Sequence, residues 1–68
     1  MKYRYDIFAY TDRYGQCMAR ISWTDESGQG KRVYTMPFSS HANILDDVRV
    51  IISMIEAGKP PNGVVNEG

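Results

Sequence analysis

The chain has one cysteine, Cys17, and one histidine, His41, among 68 residues. A lone cysteine excludes any disulfide within the chain. One Cys with one His cannot supply the four ligands of a structural zinc site. Net charge is also missing, because eight basic side chains balance eight acidic ones. That balance argues against a general polyanion binder, while a local basic patch stays open. No apolar run approaches the ~20 residues of a membrane span. The start, Met1-Lys2-Tyr3-Arg4-Tyr5-Asp6, has charges where the apolar part of a secretory signal would begin. Together with the lone thiol, this reads as a cytoplasmic protein. No repeat, low-complexity run or linker divides the chain, so one domain is expected. A core of this size supplies only roughly 3–5 kcal/mol. With disulfides and structural metals excluded, self-association is the support left open.

What is present suggests an α+β fold, a three-stranded antiparallel sheet packed on one C-terminal helix (βββα). Residues 2–11 are rich in aromatic and β-branched types and read as a strand. Asp12-Arg13-Tyr14-Gly15 reads as a turn. Residues 16–24 form a second strand, Asp25-Glu26-Ser27-Gly28-Gln29-Gly30 a polar loop, and Lys31 to about Met36 a third strand ended by Pro37. A helix is expected over about 41–57, capped by Ser39 or Ser40, with Asp46 and Asp47 early in it. Ile44, Val48, Ile51 and Ile55, with Leu45 and Ile52 beside them, make one apolar stripe at helical spacing. Gly58-Lys59-Pro60-Pro61 stops the helix. The domain is therefore 1–58, followed by a Pro- and Gly-containing tail over 59–68 in which Val64-Val65 can add a short edge strand.

Parity sorts the side chains of a strand between its two faces. A three-residue loop at 12–14 would set Thr11 opposite Gly15, Ala9 opposite Cys17 and Ile7 opposite Ala19. These odd-numbered positions include the small residues Ala9, Cys17 and Ala19, which leave room for the helix, so they are assigned to the core. The even-numbered face carries Arg4, Asp6, Phe8 and Tyr10, then Met18 and Arg20, with Asp6 opposite Arg20. If the third strand keeps parity, Arg32, Tyr34 and Met36 join them. A bulge near Gly28–Gly30 would instead turn Tyr34 and Met36 into the core. Nothing else in the chain would cover the even face. Large apolar patches of this kind mark interfaces, and Tyr, Phe, Met and Arg are enriched in interface cores. The candidate partner-binding residues are Arg4, Phe8, Tyr10, Met18, Arg20, Arg32, Tyr34 and Met36.

No catalytic constellation is expected, and no metal or cofactor. Cys17 lies mid-strand rather than at a helix N-terminus that would activate a thiolate. Asp46 and Asp47 point about 100° apart around a helix and suit its positive dipole end. Gly28-Gln29-Gly30 lacks the lysine and following helix of a phosphate loop.

The run Ile7-Phe8-Ala9-Tyr10-Thr11-Asp12, with Asp46 further on, resembles the first strand and first helix of the ribonuclease H fold in layout. That fold's later carboxylates have no counterpart before Gly68, so the resemblance implies no activity. The same layout is similar to the AP2-type and integrase arm-binding DNA domains, which read DNA with a three-stranded sheet through Arg and aromatic side chains. That resemblance implies a DNA-facing role for Arg4, Arg20 and Arg32. Fold analogy does not settle function. The residues themselves suggest a small non-enzymatic protein-binding module, dimeric through the uncovered face. Its concrete version is a phage or mobile-element inhibitor of a host machine, of the anti-CRISPR kind. The alternative is a DNA-binding accessory protein using the same face. The expected partner is thus a protein or a second copy, with nucleic acid second and no membrane.

Overall fold

The computed structural model describes residues 2–39 and 43–68. The chain runs β1 (Arg4–Thr11), β2 (Cys17–Thr24), β3 (Arg32–Pro37), α1 (Ile44–Glu56) and β4 (Val65–Asn66). The strands form one antiparallel sheet in the order β1-β2-β3-β4. The α+β class is as expected, with a short fourth strand added where Val65 and Asn66 pair with Val33 and Arg32. The expected cap at Ser39 is replaced by Asn43, which makes no side-chain cap bond. Ser40 and His41 lie outside the described residues.

Two turns of the same design shape the meander. In the first, Asp12 N donates to Gln16 O and Gly15 N to Asp12 O, both at 3.0 Å. Asp12 Oδ1 accepts from the backbone N–H of Tyr14 and of Gln16, at 2.9 Å each. In the second, Asp25 N donates to Gln29 O and Gly28 N to Asp25 O, again at 3.0 Å. Asp25 Oδ1 accepts from Ser27 N and Gln29 N at 2.9 and 2.8 Å. The underlying recurrence is Thr-Asp-x-x-Gly-Gln, at Thr11–Gln16 and again at Thr24–Gln29. An Asp at the first position satisfies the turn's own N–H groups, and Gly takes the positive φ that closes it. The expectation of no repeat therefore fails at the scale of a turn. The Ser27 hydroxyl and these backbone donors hold the Asp25 carboxyl below its usual pKa.

After the first turn the strands keep parity, with Thr11 opposite Cys17, Ala9 opposite Ala19 and Ile7 opposite Ile21. This is two residues away from the expected register, and the two faces are unchanged because the shift is even. Asp6 therefore meets Ser22, and Arg20 meets Phe8. After the second turn parity reverses, with Ala19 opposite Met36, Ile21 opposite Tyr34 and Trp23 opposite Arg32. The reason is one surplus residue between Gln29 and β3. Gly30 sits there with φ +68°, a conformation natural only to glycine. A single inserted residue moves every following side chain to the opposite face.

The core lies between the sheet and α1. It comprises Ala19, Ile21 and Trp23 of β2, Met36 and Phe38 of the third segment, and Val48 and Ile55 of the helix. Ile44, Ile51 and Ile52 pack against it partly buried, as does Val64 from the tail. Leu45 does not join the stripe and is 67% exposed. Two anchors fix the helix's far end. Gly58, at φ +76°, donates to Ile55 O while Lys59 N donates to Met54 O, so the last carbonyls are satisfied. The Glu56 carboxylate accepts from Lys2 N at 2.8 Å and from the Tyr5 hydroxyl, which ties α1 to the start of β1.

Candidate functional site

The sheet face turned away from α1 has no described element over it. Its side chains form rows across the strands. Arg4 sits beside Thr24; Asp6 beside Ser22, Val33 and Val65; Phe8 beside Arg20 and Thr35; Tyr10 beside Met18 and Pro37. The Phe8 and Tyr10 rings stack with centroids 5.9 Å apart and planes at 22°. The Arg20 guanidinium carbon lies 5.5 Å from the Phe8 centroid, within the range of a cation–π contact. Phe8 nevertheless stays 56% exposed and Val65 58%. Tyr10, Met18 and Val33 are half-buried, and Arg20 is exposed.

Of the candidate residues, Arg4, Phe8, Tyr10, Met18 and Arg20 come together on this open face. Arg32, Tyr34 and Met36 do not. The Gly30 bulge puts them on the helix side, where Met36 is buried, Tyr34 packs against the core and Arg32 is exposed at the margin. Their places on the open face go to Val33, Thr35 and Pro37. A sequence signal for this was available. Phe38 shares the parity of Tyr34 and Met36, and three bulky residues at period two mark the buried side of a strand.

The face carries both charge and apolar surface. Two arginines and one carboxylate leave it mildly cationic, with the apolar surface at the Phe8–Tyr10–Met18–Pro37 corner. Among the described residues no group of three His, Cys, Asp or Glu side chains is placed to hold a metal ion. A cleft of about 160 Å³ is lined by Arg4, Tyr5, Asp6, Ser22, Trp23, Thr24 and Lys31. Small-molecule sites run to about 300–1,000 Å³, so this cleft is undersized. Trp23 is buried beside it, and its indole N–H has no acceptor among the described residues.

Tyr5 is the most perturbed acid. Burial, and then the Glu56 carboxylate it binds, push its phenol pKa up. In return the Tyr5 hydroxyl and the Lys2 N–H hold Glu56 below the usual carboxylate range. Both groups sit at the helix–strand junction, away from the open face, and serve structure. Among the described residues no helix is long and apolar enough to cross a membrane. No family model, curated protein or solved structure matches the chain.

Proposed function

We propose that this chain is a non-enzymatic protein-binding module that works through its open sheet face. The observation that supports this reading is the Phe8–Tyr10 stack with Arg20 against it, set beside Met18 and Pro37, on a face with no described cover. Aromatic, Met and Arg side chains are the types that anchor interface cores. The inhibitor reading extends the proposal. A module without a catalytic set acts by occupying a partner's surface, as a phage or mobile-element inhibitor in the host cytoplasm would. Loss of Arg32 from the face weakens the DNA alternative, because Arg4 and Arg20 remain with Asp6 among them.

The test is a binding measurement at two salt concentrations, with a partner captured from lysate and with random duplex DNA. Protein binding predicts that Phe8→Ala or Met18→Ala costs about 2 kcal/mol or more, with modest salt dependence. DNA binding predicts a log–log salt slope of about −0.9 per phosphate neutralised and loss of affinity in Arg20→Ala. Tight, salt-sensitive DNA binding that survives Phe8→Ala would overturn the protein-partner reading.

A further inference from the structure

β1 is an edge strand, and its outer edge has no described cover. Along β2, Cys17 O accepts from Phe38 N on the β3 side, whereas Gln16 O accepts from Asp12 N on the β1 side. Even-numbered residues of β2 therefore bond to β1 and odd-numbered ones to β3. On β1 itself, the backbone N–H and C=O groups of Tyr5, Ile7, Ala9 and Thr11 point outward, with no described strand to receive them. Edges are normally protected by Pro, Lys, bulges or very short strands. This one is eight residues long and reads Arg-Tyr-Asp-Ile-Phe-Ala-Tyr-Thr, with no Pro, Lys or bulge and with its two charges, Arg4 and Asp6, toward one end. Exposed apolar side chains gather beside it. Ile7 is 46% and Phe8 56% exposed on the strand. Leu45 is exposed on α1, on the flank that Glu56 fixes toward β1, since positions 45, 49, 52 and 56 share one helix side.

We propose that β1 pairs antiparallel with β1 of a second copy, about a two-fold axis at Phe8. The sequence of the edge is self-complementary in that register. Ile7 lies opposite Ala9 of the second copy and Tyr5 opposite Thr11, and these are the residues whose backbone groups point outward. A large side chain meets a small one on the helix side. On the open face Phe8 meets its own copy, Asp6 meets Tyr10, and Arg4 meets Asp12, so opposite charges close both ends of the seam. Moving the axis to Ala9 would set Asp6 opposite Asp12, and moving it to Ile7 would set Asp6 opposite Phe8. Like charges, or a carboxylate against an aromatic ring, disfavour those registers. A seam one strand long belongs to the small end of specific interfaces, so association is expected in the micromolar range. It does not depend on what the open face binds. Pairing makes one continuous sheet and doubles that face.

Two variants and a crosslink test this. Sedimentation across the micromolar range should show a monomer–dimer equilibrium for the full chain. Ala9→Pro removes an outward N–H and leaves the β1–β2 bonds intact, so it should raise the dissociation constant at least tenfold. Phe8→Glu should do the same by setting two carboxylates against each other at the axis. In a Cys17→Ala background, Phe8→Cys should oxidise to a covalent dimer. Tyr10→Cys should not, because its two copies would stand roughly 13 Å apart. If Ala9→Pro fails to fold, the crosslink decides. A strict monomer, a dimer that persists in folded Ala9→Pro, or crosslinking of Tyr10→Cys but not Phe8→Cys would overturn the proposal. A dimer lost in Met18→Glu but kept in Ala9→Pro would also overturn it, and would place self-association on the open face instead.

Discussion

Deleting Gly30 should unfold most of this domain, although no side chain packs where its own would be. A Cβ built on it meets no atom within 4 Å, so its role lies in its φ of +68° and in its count. Without it, β3 returns to even parity. Met36 and Tyr34 would leave the helix side, and Val33 and Thr35 would replace them. Burying a Met side chain is worth about 1.5–3 kcal/mol, and Tyr34 adds a smaller share from its half-buried ring. Val33 and Thr35 return part of that but fill less space. The net loss is about 2–4 kcal/mol, against the roughly 3–5 kcal/mol that a core of this size supplies. Urea unfolding followed by Trp23 fluorescence measures it cleanly, because Trp23 is the single tryptophan and is 2% exposed. Gly30→Ala isolates the backbone cost, about 1–2 kcal/mol for a left-handed L-residue, and Gly30→Asn should lose less. A deletion variant with the native midpoint and native Trp23 emission would refute the reasoning.

Other outcomes follow from the same contacts. Asp12→Ala and Asp25→Ala should lower the urea midpoint by similar amounts, since each removes the acceptor of one of two matching turns. Glu56→Gln should flatten the acid limb of the stability profile. The depressed Glu56 pKa adds stability above the unfolded value of about 4.3, and that stability is lost as pH falls through the folded value; a variant with an unchanged acid limb would contradict this. Tyr5→Phe should cost about 1 kcal/mol and remove a destabilisation that otherwise sets in as pH rises past about 10, because the raised Tyr5 pKa favours the neutral phenol in the fold. Trp23→Phe should cost well under the 3–5 kcal/mol typical of Trp→Ala, because it keeps an aromatic ring in the core and removes an indole N–H that has no acceptor among the described residues; an equal loss in the two variants would contradict this.

Much of the architecture was legible because it rests on local rules. Alternating apolar residues marked the strands, the Ile44–Ile55 spacing marked the helix, and Gly58 before two prolines marked its end. The odd-numbered side of β2 was legible as the core side because the first turn adds no residue to the count, but on β1 the assignment holds only for Tyr5, since Ile7, Ala9 and Thr11 share that side and stay exposed. The β3 half of the site was not. Its facing depends on whether Gly30 continues the loop or bulges the strand, and only the period-two run Tyr34, Met36 and Phe38 distinguishes the two. Leu45 was misplaced for a different reason. Helical periodicity assigns a side but not the width of the sheet beneath it, and over β1 the helix flank reaches past its cover. The register slip on β1 came from counting Asp12 inside the turn, whereas its backbone N–H already pairs with Gln16.

The matching turns bear on how the chain folds as well as on what it becomes. β2 is shared by two hairpins, each closed by a short loop whose aspartate satisfies its own turn. Such hairpins form in about 1–10 μs, and local contacts favour fast folding. β2 therefore has two nucleation routes of similar strength, one toward β1 and one toward β3. The second adds the buried residues of the third segment to the helix side of the core, since it brings Met36 beside Ala19. A chain that closes the first hairpin early holds an aromatic, unpaired strand beside an unfinished core. The interval before α1 docks is the period of greatest exposure to aggregation. Slowing the second turn alone, with Asp25→Ala, should lengthen that interval and lower refolding yield more than Asp12→Ala does.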